Sequence, residues 1–285
     1  MIIDMRARPP SPQFNSFFQR DFLEGLATRV GAKRLSQAFC DESAHDFIDE
    51  MDAANVDVAI ALGRNSPAMK SGKIVTPAGV IPNQHIVDLQ LEFPGRIIGF
   101  AGIDVAGEIH NPMAETQSFV VDGDLHGIFI EPQRAFGGNP DDARIFPLYE
   151  LCQAESVPVN IMTGPVSGSH VGFADPAPID HVAGQFPDLK IICGHGCWPC
   201  VDEMIAVAFK HANVYVSPDC YLFMPGVASR YVGAANGFTA DQFLFGSAYP
   251  VLPLDQAVED FKNLPFSYTS LEKALGLNAK SLLNL

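Results

Sequence analysis

Two arginines two residues apart near the start of the chain, Arg6 and Arg8, and a histidine set between glycines, Gly194-His195-Gly196, are the residues from which chemistry can first be argued. A guanidinium keeps its proton in proteins and presents a planar fork of N–H donors that matches a carboxylate. Imidazole is the side chain most easily tuned to exchange a proton near neutral pH. Together they describe a pocket that holds a small carboxylated anion and moves a proton on it. Arg64 adds a third cation, and Tyr221 and Tyr249 add hydroxyls suited to a developing oxyanion or an aromatic ring. Asp219 and Glu131, each beside a proline, are placed to orient His195, to act as a second base or to neutralise the arginines. The candidate set is therefore His195, Asp219 and Glu131 for catalysis, with Arg6, Arg8, Arg64, Tyr221 and Tyr249 for substrate binding. The competing structural readings are a salt-bridge network for the arginines and a hydrogen-bonded core residue for His195.

Cys193, Cys197 and Cys200 surround His195 in a C-x-H-x-C-x-x-C run that invites a zinc or redox reading. A redox pair calls for a thioredoxin-like unit, which is not what surrounds it. A four-ligand zinc site on adjacent strand and helix residues has awkward geometry. Neither a metal nor a cofactor is assigned.

These residues need elements to position them. Short β-branched or aromatic runs at 1–4, 56–62, 97–104, 127–131, 157–162, 189–195, 213–219 and 242–247 read as eight strands. Amphipathic patterns at 45–54, 74–93, 142–155, 179–186, 199–210 and 254–264 read as the helices between them. Apolar strands with little alternation, separated by helices, call for a parallel sheet covered on its outside. Eight repeats in one domain spanning 1–285 suit a closed (β/α)8 barrel better than a doubly wound open sheet, and neither G-x-G-x-x-G nor G-x-x-x-x-G-K-[ST] occurs. In such a barrel chemistry belongs at the C-terminal strand ends, where all the candidates fall. Arg6 and Arg8, two apart on a strand, share one side. Lys70, Lys73 and Arg134 also follow strands, so cations gather at one face, with Asp4, Glu131 and Asp219 as candidate partners. His195, between glycines and before a helix start, is expected on an exposed turn. Residues 9–41 are expected as a long Pro- and Phe-rich loop, a lid or a subunit contact.

The chain has 285 residues, with 33 acidic against 18 basic side chains and a net charge of −15, the wrong sign for a polyphosphate or an anionic membrane surface. Nucleic acid and membrane are excluded as partners, and the absence of an apolar leader or a membrane-length apolar run reads as cytoplasmic. Six cysteines in a chain of this length do not make a disulfide framework.

The strand junctions resemble the amidohydrolase superfamily, in the branch that holds the aminocarboxymuconate-semialdehyde and resorcylate decarboxylases, 4-oxalomesaconate hydratase and related hydrolases. The marks are IID at the start, VPVNIMTG for an apolar run ending in HTG, GHGCWPCVDEMI, FGSAYP for FGSDYP, and LNAKSLL near the end. The resemblance implies a barrel, a homodimer and a divalent metal held by H-x-H on the first strand, one His each on the fifth and sixth, and Asp on the eighth. Here Arg6, Arg8, Met162 and Ala248 stand at four of those places and only His195 remains. Guanidinium, thioether and methyl groups are not ligands for such a cation. The expectation is a metal-independent hydrolase of a small carboxylated cyclic or aromatic compound, a lactone or ester rather than an amide. The alternatives are a carboxy-lyase or hydratase on a similar acid, and an inactive anion-binding barrel.

Overall fold

The computed structural model describes residues 1–71 and 73–285. Its strands in chain order are β1 (Ile3–Ala7), β2 (Val58–Leu62), the short β3 (Asn65–Ser66), β4 (Met69–Ser71), β5 (Ile74–Thr76) and β6 (Gly79–Val80), then β7 (Ile97–Ile103), β8 (Gly127–Ile130), β9 (Val159–Met162), β10 (Ile191–Gly194) and β11 (Val214–Ser217). Seven of them form one sheet in the order β1-β2-β7-β8-β9-β10-β11, every pair parallel. The apolar runs make these strands because both of their faces are buried. Ile60, Leu62, Phe100, Phe129 and Ile192 fill the interior, while a second cluster lies between the sheet and its helices.

The eighth position is occupied by residues 242–249, which pair irregularly rather than as the regular strand the sequence predicts. Val216 bridges Phe243, the Leu244 N–H donates to the Val216 carbonyl at 2.9 Å, and the Met5 N–H donates to the Phe245 carbonyl at 3.0 Å. The barrel is thereby closed. The ladder breaks because the Ser247 N–H donates to Asp4 Oδ1 at 2.8 Å instead of to a main-chain carbonyl, and Ala248 lies in the left-handed region at φ 58°. Gly246 is required in this segment, since a Cβ there would run into Asp219 Oδ1.

β1 extends beyond the predicted 1–4 and carries an irregularity between Asp4 and Ala7. Ile3 and Met5 belong to the interior cluster and Ala7 to the outer one, so the bulge resets the alternation. Arg6 and Arg8 are thereby turned to the barrel mouth.

The stretch 9–41, expected as a loop, folds as α1 (Pro12–Phe17), α2 (Arg20–Arg29) and α3 (Gln37–Cys40). Ser11 and Ser36 cap the first and third by accepting the Phe14 and Phe39 N–H groups, and Phe14, Phe17 and Leu23 are buried beneath. α4 (Ala44–Ala54) is capped by Ser43 and ends at Asn55 in a left-handed turn, burying Phe47 and Met51. The helix predicted over 74–93 is shorter. Pro77, Gly79 and Pro82 break its first half into β5 and β6, and α5 (Asn83–Glu92) follows. No helix among the described residues is long and apolar enough to cross a membrane.

Asp4 is fully buried and accepts from the Ser247 hydroxyl at 2.5 Å and from the Ser247 and Arg6 N–H groups. Burial raises its carboxyl to about 7, with the nearby Asp219 charge adding to the rise and those hydrogen bonds opposing it. A carboxyl that titrates near 3.8 when unfolded and near 7 when folded stabilises the fold most below pH 3.8, and that contribution is lost as the pH rises through 7. Urea unfolding between pH 4 and 8 should therefore show a smaller loss of stability with rising pH in Asp4→Asn than in the wild type. Parallel profiles would overturn this account.

Candidate active site

A cavity of about 230 Å³ opens at the C-terminal ends of the strands. Arg6, Arg8, Met162, His195 and Ala248 line its barrel side, from the ends of β1, β9 and β10 and from the closing segment. The roof comes from α1 and α2, through Phe17, Phe18 and Phe22, so the stretch after β1 covers the mouth. A chain of net charge −15 thus gathers Arg6, Arg8, Arg64 and Arg134 around one cavity, with Arg29 and Lys73 at its rim and Asp21 the acidic residue in its lining. Lys70 is not part of that lining.

The four inner arginines differ in what holds them. Arg6 Nε lies 3.3 Å from Asp219 Oδ2, its Nη2 is 3.1 Å from the Met162 sulfur, and a Cβ at Gly194 would come within 2.8 Å of its Nη1. The glycine before His195 is therefore room for a guanidinium. Arg64 donates from Nη2 to Glu131 Oε1 at 2.7 Å and from Nε to the Ser66 hydroxyl at 3.2 Å, with the Phe17 ring 3.9 Å from its guanidinium. Arg134 places Nε 3.2 Å from Glu131 Oε1 without a hydrogen bond and donates from Nη2 to the Val166 carbonyl at 3.1 Å, while its Nη1 is also buried without a partner.

Arg8 stands apart. No carboxylate among the described residues pairs with it, and its buried Nε and Nη2 have no acceptor. The rings of Phe129 and Phe18 flank its guanidinium at 5.2 and 5.9 Å. Burial, reinforced by repulsion from Arg6, lowers it to about 9, which leaves it charged at neutral pH.

Glu131 was expected among the catalytic groups, but the structure turns it away from the cavity. Its Oε1 faces Arg64 and Arg134 and its Oε2 accepts from Ser66 at 2.7 Å. Burial alone would raise this carboxyl, yet Arg64 and Arg134 outweigh it and hold it below the ordinary range. It is placed to neutralise arginines and does not line the cavity.

Asp219 also lies outside the lining but touches what lines it. Its Oδ2 accepts the His195 backbone N–H at 3.0 Å and lies 3.1 Å from His195 Nδ1, and its Oδ1 accepts from Ser217 at 2.5 Å. Burial opposes its ionisation, but His195, Arg6 and Ser217 hold it ionised below the usual carboxylate range. His195 follows β10 with φ 67°, and the Gly196 and Cys197 backbones are left-handed as well. The turn is buried rather than exposed as predicted, with His195 at 7% accessibility, and the ring reaches the cavity from below. Burial lowers the imidazole to about 4, the Arg6 charge adds to the fall, and Asp219 opposes it. The ring is neutral at pH 7.

The two tyrosines part. Tyr221 lines the cavity, stacked on Trp198 at 5.1 Å and edge-on to His195 at 4.9 Å, and burial raises its phenol so that it remains a donor. Tyr249 faces outward, against Phe47, with its hydroxyl 2.5 Å from Ser36 Oγ. The closing segment sends Ala248 to the cavity and its neighbour to the helix layer, so Tyr249 does not line the site. Among groups outside the candidate set, Arg134 reads in sequence only as one more loop cation. The roof phenylalanines carry no signal beyond an aromatic-rich stretch.

A divalent cation does not fit this donor set. Where the resembled family places its ligands, the cavity offers guanidiniums, a thioether, a methyl and one imidazole, and no group of three His, Cys, Asp or Glu among the described residues is arranged to hold a metal. Cys193 and Cys197 are buried thiols with sulfurs 3.4 Å apart, and burial pushes the Cys197 thiol up, away from the thiolate that ligation requires.

The His195 ring should titrate in nuclear magnetic resonance spectra with a midpoint near pH 4, and activity that needs the free imidazole should persist as pH falls until that value is crossed. A midpoint near the ordinary 6.5 would remove the argument from burial and Arg6.

The family model for amidohydrolases matches residues 42–285. An uncharacterized TIM-barrel protein from Bordetella bronchiseptica is 32% identical, with a TM-score of 0.88 over 99% of this chain and 98% of that one. Two more distant structures show the fold alone. A dihydroxybenzoic acid decarboxylase from Polaromonas with bound manganese and an inhibitor has 16% identity and a TM-score of 0.69 over 100% and 97% of the chains. A probable 2-pyrone-4,6-dicarboxylic acid hydrolase from Acinetobacter baumannii has 13% identity and a TM-score of 0.64 over 100% and 99%. No curated protein matches the sequence. With the strand-end motifs, the barrel and the family match in agreement, the chain belongs to the amidohydrolase family of (β/α)8 barrels.

Proposed function

We propose that this barrel is a metal-independent hydrolase that opens a small carboxylated lactone or activated ester. The observation that carries the reading is the pairing, in one cavity, of an unneutralised guanidinium at Arg8 with a neutral imidazole at His195 set against Asp219. Arg8 takes a substrate carboxylate in its free N–H donors. His195 removes a proton from water as the water adds to the ring carbonyl, while Asp219 orients the imidazole and stabilises it once protonated. The Tyr221 hydroxyl and the positive field of Arg6 stabilise the oxyanion. As the ring carbon–oxygen bond breaks, the leaving oxygen recovers the proton from His195.

An imidazole of low basicity suits a substrate with a good leaving group and not an unactivated amide. An anion held by Arg8 also offsets the positive potential that depresses His195, so the bound substrate itself makes the base stronger. The 2-pyrone dicarboxylic acid named for the Acinetobacter structure is a carboxylated cyclic ester of this kind. The decarboxylases of the same fold support a second reading, in which the Arg8-bound carboxylate leaves as carbon dioxide.

Carboxylated 2-pyrones, assayed by loss of ring absorbance and acid release, are the substrates to test. Turnover should survive treatment with a chelator and fall by roughly 100-fold or more in His195→Ala. Carbon dioxide release from aromatic acids without lactone opening would establish the second reading, and a chelator-sensitive rate would overturn metal independence.

A further inference from the structure

The geometry points to a second carboxylate subsite at Arg134, so that the pocket is built for a dianion, its two carboxylates held by arginines at the ends of two different strands. This rests on the reading of the cavity as an anion-binding catalytic site and makes its substrate class narrower.

The argument is one of charge and unpartnered donors. Four buried guanidiniums, Arg6, Arg8, Arg64 and Arg134, are faced by two ionised carboxylates, Asp219 and Glu131. Asp219 is committed to Arg6 and to His195. Glu131 gives its shortest contact to Arg64 and its second oxygen to Ser66, leaving Arg134 the longer approach to an oxygen already in use. Asp4 adds no neutralisation, because it bonds Ser247 and the Arg6 backbone and no guanidinium. Among these buried groups two positive charges therefore remain, on Arg8 and Arg134, and Asp21, the acidic residue of the lining, is exposed and pairs with neither.

Both line the cavity, and both hold buried N–H groups without acceptors, Nε and Nη2 on Arg8 and Nε and Nη1 on Arg134; Arg6 has one such group, Nη1, but keeps its ion pair with Asp219. Orphaned donors on a buried cation are costly unless a ligand meets them. Arg134 is held ready by the Val166 carbonyl, which fixes its Nη2. The two sit on different elements, Arg8 just past β1 and Arg134 on the turn after β8, with the Phe129 ring beneath Arg8. Mutual repulsion of the guanidiniums, which helps depress Arg8, is relieved by two acceptor groups more fully than by one.

Calorimetric titration of the full-length protein with isophthalate and with benzoate tests this without turnover. Wild type should bind isophthalate about tenfold or more tightly than benzoate. Arg134→Met should abolish that preference while leaving benzoate affinity within about threefold, and the retained benzoate binding shows that the variant is folded. Arg134→Lys, which keeps the charge but not the fork, should restore part of the preference. Equal wild-type affinities for the two acids, or equal loss of both in Arg134→Met, would overturn the subsite. Hydrolysis of monocarboxylated lactones as fast as dicarboxylated ones would also overturn it while leaving the hydrolase reading intact. A clear isophthalate preference in a protein that opens no lactone would leave the subsite and overturn the hydrolase.

Discussion

The Asp219 carboxylate is the contact on which the site depends. It sits past the end of β11 in a left-handed turn, accepts the His195 backbone N–H, lies against the His195 ring and holds Arg6, so it joins a strand end, a catalytic candidate and a buried cation at one point. A buried carboxylate survives there because opposite charge and hydrogen bonds outweigh desolvation. Glycines 194 and 246 clear the space around it, one for Arg6 and the other for Asp219 itself. The eighth segment passes close to that carboxylate because residue 246 has no side chain to collide with it.

In the proposed reaction, positive charge around this point takes the part that a metal takes in the family the sequence resembles. A divalent cation polarises whatever it binds and can be lost or exchanged, whereas guanidiniums are fixed to the chain and offer directed N–H donors but no open coordination position. The aromatic faces of Phe17, Phe18 and Phe129 help to hold these cations where carboxylates are too few. The roof formed by α1 and α2 is thus tied to the arginines it covers, which couples the segment after β1 to the charge state of the cavity.

Two buried groups on either side of this network respond to pH in opposite senses. Asp4 is raised and favours the fold at low pH; His195 is lowered, and its contribution is present above its ordinary pKa and lost as the pH falls through about 4. Their windows overlap between the two ordinary values, so the local slopes partly cancel there. Both shifts come first from desolvation, the cost of burying titratable groups at the strand ends.

The repeating strands and helices, the strand-end location of the candidates, and the family were legible in the sequence, because apolar runs buried on both faces and motifs such as GHGCWPC are local signals. So was the likeness of Arg6 and Arg8, since two-residue spacing places them on one side of a strand. Which of these residues face the cavity was decided by tertiary contacts. The β1 bulge, the break at Ser247–Ala248 and the left-handed turn at His195 are set by hydrogen bonds to groups distant in the chain, among them Asp4 and Asp219. For the same reason Tyr249 ends outside the lining that Tyr221 reaches, and Glu131 meets Arg64, Arg134 and Ser66 where Asp219 meets His195. Arg134, one loop cation among several in the sequence, gains its importance only when Glu131 is seen to be shared. Charge neutralisation is a property of neighbours in space, and a linear sequence does not state which carboxylate each arginine meets.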